Sequence, residues 1–169
     1  MKRFPWMVAL GAALVVMVFW LNRPNDQRLI RREWEQVLKL CRKEAAVSLL
    51  SAATRPLELQ GHFTSNALIE TGAPYPMSLR RAELPPIFGR LWQMADRIVV
   101  QSRGEDLAVA ESRRAAVMEV TVEVQADVRG DMISGLDAYR LEWSREEGPW
   151  RIQRIQRVDT IRNPAAETH

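Results

Sequence analysis

Residues 117–129 read VMEVTVEVQADVR, and their alternation decides the fold. Met118, Val120, Val122, Val124, Ala126 and Val128 fall on one side; Glu119, Thr121, Glu123, Gln125 and Asp127 fall on the other. Side chains of a strand point to opposite faces in turn, so this is a long antiparallel strand with one buried and one wet face. Downstream, residues 130–135 read as a turn and residues 136–144 as a strand with Tyr139, Leu141 and Trp143 on one side. Glu146-Glu147-Gly148-Pro149 then turns the chain into a last strand over residues 150–158. Upstream, residues 98–100 and 107–110 flank Arg103-Gly104-Glu105-Asp106 and read as a hairpin.

The chain before this meander is helical. From Asp26 to about residue 53 the apolar residues Ile30, Trp34, Val37, Cys41, Ala45 and Leu49 recur at helical spacing, while Arg31, Glu35 and Lys39 form a charge ladder on another face. This predicts one amphipathic helix or two in succession, ended by Thr54-Arg55-Pro56. Residues 63–70 read as a strand, and Gly72-Ala73-Pro74-Tyr75-Pro76 as a loop. Pro85-Pro86 opens a short helix whose apolar residues are Ile87, Phe88, Leu91, Trp92 and Ala95.

Phe4 to Leu21, FPWMVALGAALVVMVFWL, is an uncharged run between Lys2-Arg3 and Arg23. Eighteen residues of helix cover roughly 27 Å, near the hydrocarbon thickness of a bilayer. Trp6 and Trp20 stand at its ends, where indoles favour the headgroup boundary. The exit, Trp20-Leu21-Asn22-Arg23-Pro24, is bulky and lacks the small residues of a signal-peptidase site, which favours a retained signal-anchor. Lys2, Arg3 and the short leading tail favour a cytoplasmic N-terminus, although Arg23, Arg28, Arg31 and Arg32 oppose it. The expected location is therefore the cell inner membrane, single-pass, with the C-terminal domain in the periplasm. The expected domains are a tail and anchor over 1–23, a globular domain over 24–161 and a flexible tail over 162–169.

Composition narrows the function classes. Setting Lys2 and Arg3 aside leaves 22 basic against 21 acidic residues, with arginines spread among glutamates, so no basic stripe points to nucleic acid. Two histidines, His62 and His169, and one cysteine, Cys41, cannot build a usual zinc site; no metal and no cofactor is expected. A lone cysteine reads as a small buried hydrophobe. Gly-x-Ser-x-Gly, His-Glu-x-x-His and phosphate-binding glycine loops are absent.

The closing hairpin, Tyr139-Arg140-Leu141-Glu142-Trp143 then Gly148-Pro149-Trp150-Arg151-Ile152, resembles the habitual ending of the nuclear transport factor 2-like fold. The order of a long helix, a short helix and a final antiparallel run matches as well, over about Asp26 to Ile161. The resemblance implies an α+β domain after the transmembrane helix: helices packed on a bent antiparallel sheet, forming a cone with an apolar cavity. Members of this superfamily include ketosteroid isomerase-like and SnoaL-like enzymes, a mitochondrial import subunit and membrane-tethered scaffold factors of type IV secretion.

An isomerase or cyclase on this fold needs a carboxylate or histidine inside the cone and a tyrosine donor for an oxyanion. His62, Glu70 and Asp96 are the candidates for the base, and Tyr75 or Tyr139 for the donor. Each also has a plainer reading: Asp96 ends a helix, His62 and Glu70 lie in an exposed segment, and Tyr139 shares a face with Leu141 and Trp143. Glu119, Glu123 and Asp127 make an acidic row that reads as a solvated face paired with Arg140 or Arg151, or as a docking surface for a basic partner. The reading favoured is non-catalytic: a domain presented at the membrane for protein assembly or ligand binding, with Trp92, Tyr139 and Trp143 walling the cone's open end. A membrane-associated protein partner or a homo-oligomer is expected. An enzyme and a lipid-binding module stand as alternatives.

Overall fold

The structure, a computed structural model, describes residues 25–44, 48–72, 77–146 and 148–158. The expected span over residues 4–21, Ala45, the candidate donor Tyr75 and the tail over 162–169 lie outside the described residues. Among the described residues no helix is long and apolar enough to cross a membrane.

Helix α1 (Asp26–Cys41) begins at Asn25, whose side chain accepts a hydrogen bond from the Gln27 amide at 3.1 Å. Ile30, Trp34, Val37 and Leu38 form its buried stripe. The helical stretch is therefore two helices. Ser48 caps the second, α2 (Leu49–Gln60), by accepting from the Ser51 amide at 3.2 Å. Pro56 does not end α2 as expected but lies inside it. Its ring is buried against α3 (Leu84–Met94) beside Gly89, where an added Cβ would stand 3.5 Å from the Pro56 ring. Packing of the ring into that seam offsets the lost helical hydrogen bond.

The strands are β1 (Phe63–Glu70), β2 (Ser78–Arg80), β3 (Arg97–Val109), β4 (Ala115–Val128), β5 (Asp131–Ser144) and β6 (Arg151–Val158). They form one sheet in the order β2-β1-β6-β5-β4-β3. The sheet is mixed, not purely antiparallel: β1 runs parallel to β6, while every other pairing is antiparallel. Strand neighbours across a long connection leave no trace in hydrophobic periodicity, which is why this pairing escaped the sequence.

Two turns differ from expectation. Arg103–Asp106 is not a hairpin; β3 runs straight through it with a bulge in which Gly104 and Glu105 oppose the single residue Val120. Gly104 has φ +63°, a conformation glycine adopts at little cost, and the extra residue bends the strand. The true turn comes at Ala110–Arg114, where Arg113 has φ +55°. The turn expected over 130–135 shrinks to Arg129-Gly130, with φ +57° and +87°, so β5 starts at Asp131. Two consecutive positive φ values match the turn type whose twist suits a two-residue hairpin.

The helices cover the face that carries Met118, Val120, Val122, Leu141, Trp143 and Ile152. Met118, Leu141, Ile152 and Ile30 are fully buried, and Trp143 and Trp150 are each 1% exposed. On the outer face the acidic row behaves as a solvated surface. Glu123 pairs with Arg103 at 2.6 Å, Glu119 lies 3.9 Å from Arg140, and Asp127 accepts from the Gly130 amide at 3.0 Å. Arg151 instead approaches Glu33 of α1.

Candidate functional site

The residues expected to wall an open cone are part of its packing. Trp92 on α3 is 2% exposed and Trp143 on β5 is 1% exposed. Lys43 Nζ sits 4.8 Å from the Trp92 ring centroid and donates to the Trp92 and Ala95 carbonyls at 3.1 and 2.6 Å. The Arg55 guanidinium stands 5.3 Å from the same ring. Trp92 thus anchors the end of α1 and the middle of α2 to α3 through cation–π contacts. The indole nitrogens of Trp34, Trp92 and Trp143 are buried without a hydrogen-bond partner. The Trp34 and Trp143 rings belong to the apolar core, whereas the Trp92 ring meets the two cations.

Tyr139 is half-buried against the core, opposite Val120 and Arg157. Asp137, two residues earlier on the same face, pairs with Arg157 at 2.5 Å. Burial pushes the Tyr139 hydroxyl above its ordinary range, and the Asp137 charge adds to this against the opposing pull of Arg157. Tyr139, Asp137 and Arg157 form the polar cluster of the concave face. Nothing in the sequence singles out Asp137, although it falls on the same side of the strand as Tyr139, Leu141 and Trp143.

The three base candidates go to three separate places. His62 Nδ1 lies 2.8 Å from Glu33 Oε2, and Arg151 lies 3.8 Å from the same oxygen. They line a solvent-open cleft of about 700 Å³ with Thr54, Arg55 and Glu58 of α2. A neighbouring cleft of about 870 Å³, lined by Glu35, Lys39, Arg42, Arg55, Gln101 and Glu105, is also polar. Glu70 pairs with Arg154 through contacts of 2.8 and 2.6 Å. Asp96 accepts from the Arg129 amide at 3.1 Å and so braces the β4–β5 turn. Among the described residues, no group of three or more histidine, cysteine or acidic side chains is placed to hold a metal ion.

Among the described residues the most buried ionic group is Asp26, 5% exposed at the start of α1. It pairs with Arg113 at 2.5 Å and Arg145 at 3.0 Å, and Trp150 Nε1 lies 3.5 Å away. Burial alone would raise its pKa, but the hydrogen bonds from Arg113 and Trp150 and the charges of both arginines outweigh it and hold the carboxyl below its ordinary range. One carboxylate thereby ties α1 to the β3–β4 and β5–β6 turns. Burial likewise pushes the Cys41 thiol up to about 12.

No family model matches the sequence, and no curated protein matches it. Solved structures do. A nuclear transport factor 2-like protein with a cystatin-like fold from Novosphingobium aromaticivorans is similar at 15% identity and TM-score 0.61, over 100% of this chain and 99% of that one. A hexachlorocyclohexane dehydrochlorinase (LinA) type 2 is similar at 14% identity and TM-score 0.58, over 79% and 86%. A Xanthomonas campestris protein assigned as a calcium/calmodulin-dependent protein kinase II association domain is similar at 9% identity and TM-score 0.60, over 78% and 87%. Such identities speak for the fold alone, and that fold hosts enzymes and other proteins alike. The described chain has the nuclear transport factor 2-like, cystatin-like fold, with helices packed on a mixed sheet.

Proposed function

We propose that the chain is a single-pass membrane protein whose nuclear transport factor 2-like domain is non-catalytic and works by protein assembly at the bilayer surface. The observation that carries this reading is the burial of Trp92 and Trp143, the indoles expected to line the open end of a cone. The dispersal of His62, Glu70 and Asp96 supports it, since proton transfer needs its groups within hydrogen-bond reach of one reacting atom. So do the exposed apolar residues Met132, Ile133 and Leu136 on β5, which suit a contact with protein better than water. The tether rests on the apolar run over residues 4–21, with the domain on the periplasmic side of an inner membrane. Only three residues separate Leu21 from Asn25, so α1 starts close to the headgroups.

Membranes carrying the full chain, washed with alkaline carbonate, test the tether. The chain is expected in the pellet, and its release into the wash would refute the anchor. A C-terminal phosphatase fusion is expected to be active, as only an extracytoplasmic domain allows. An enzyme of the isomerase or cyclase kind has one observation in its favour, the half-buried Tyr139 beside Asp137 on the concave face. That reading predicts a small molecule bound against Tyr139.

A further inference from the structure

β4 pairs with β5 along its whole length, but β6 covers the opposite side of β5 only from Ala138 onward, where Val158 is its partner. Residues 131–137 are thus a strand edge among the described residues. Between the acids Asp131 and Asp137 this edge reads Met132-Ile133-Ser134-Gly135-Leu136, without charge or proline. Lysine, proline and inward charges are the usual guards against strand addition; residues 132–136 have none of them, and the inward acids Asp131 and Asp137 stand only at the two ends of the edge. Both of its faces are apolar and open: Ile133 is 57% exposed on the concave side, and Met132 and Leu136 are 68% and 63% exposed on the convex side. An edge whose amides and carbonyls have no strand partner among the described residues, flanked by such side chains, calls for another strand, not for a small ligand or a lipid.

We infer that the occupant is the same edge of a second copy of this chain, paired antiparallel about Ser134. The sequence is self-complementary about that residue. Two positions along the pairing set Met132 against Leu136 of the second copy, apolar on apolar. The adjacent position sets Ile133 against Gly135 of the second copy, and a Cβ built on Gly135 meets nothing within 4 Å, so the space beside it is open to a large side chain. The unfavourable pairs are the two of Asp131 with Asp137 of the other copy, one at each end, and in each Arg157 at 2.5 Å already holds the Asp137 carboxylate. A two-fold axis perpendicular to the sheet puts the helices of both copies on one side, so two chains anchored in one bilayer satisfy it. Shared anchoring also raises their local concentration. The inference deepens the assembly reading and rests on it for the choice of a protein partner.

Residues on such an axis lie about 4.5–5.5 Å apart at Cα, within disulfide reach. The test uses the full chain in phospholipid vesicles, with Cys41→Ser removing the native thiol and Ser134→Cys placing a new one at the axis. Mild oxidation is expected to link at least half of the chains, about tenfold more than Gln125→Cys on β4, which is exposed but lies off the edge. Adding Ile133→Asp is expected to cut the Ser134→Cys yield at least fivefold. A yield no higher than that of Gln125→Cys overturns the inference. Amide exchange on the unaltered chain guards against a variant that fails to fold. Protection of residues 131–137 is expected to rise with protein-to-lipid ratio, and protection independent of that ratio also overturns the pairing. Carbonate release with cross-linking intact would refute the tether and leave the pairing standing.

Discussion

Replacing Asp26 by alanine removes one carboxylate and unfastens three segments at once. Arg113 and Arg145 lose their partner, Trp150 Nε1 loses its acceptor, and the first turn of α1 loses a negative charge. Charge-assisted hydrogen bonds are worth about 1.5–3 kcal/mol each when fully desolvated. Here the arginine ends are 53% and 38% exposed and rehydrate once released, so about 1 kcal/mol each is the better figure. The helix-terminal charge adds about 0.5 kcal/mol, and the cost of Asp26→Ala comes to about 2.5 kcal/mol. For a domain of this size that is a fall in Tm of roughly 10 °C. Urea unfolding of the full chain in detergent measures it. The carboxyl's pKa is lowered below 3.8 in the folded state, so its contribution is complete above that pH and fades as pH falls through the lowered value. The gap between wild type and Asp26→Asn should therefore be constant from pH 7 to 5 and narrow as the pH falls below 3.8. A loss under about 0.5 kcal/mol, or a gap that does not narrow in acid, would refute the clasp.

Four further outcomes follow from other parts of the fold. Trp143→Ala, which empties a fully buried indole site, should cost about 3–5 kcal/mol in urea unfolding. Gly130→Val should cost about 1–2 kcal/mol, because residue 130 has φ +87° and a β-branched residue is strained there. Glu70→Gln should cost less than about 1 kcal/mol, since its pair with Arg154 is half in solvent. Cys41, with its thiol pushed up to about 12, should resist maleimide at neutral pH and react only after unfolding.

Alternation over residues 117–129 gave the long strand and the buried face of its first half, Met118, Val120 and Val122, because β4 is paired on both sides; farther along, Val124 is exposed and Ala126 and Val128 are only partly buried. The ends of the neighbouring strands were harder. Gly104 and Gly130 both signal positive φ, yet the first marks a bulge and the second a turn, and only pairing distinguishes them. Arg129 at φ +57° carries no signal at all, since asparagine or aspartate usually holds that place. Pro56 reads as a helix end until α3 is seen against it. The site was less legible still. His62 meets Glu33 across 29 residues, and Arg157 meets Asp137 across 20, partnerships fixed by topology. Trp92 and Trp143 look from sequence like the walls of a pocket, and only the structure shows that both are buried.

Native mass spectrometry of the full chain released from lipid nanodiscs tests the central claim most directly, because the non-catalytic assembly reading assigns the domain no resident ligand. The expected spectrum shows the bare polypeptide mass, as monomer or multiple, with no stoichiometric adduct surviving activation. One small molecule or lipid retained per chain, and lost on Tyr139→Ala, would contradict the account.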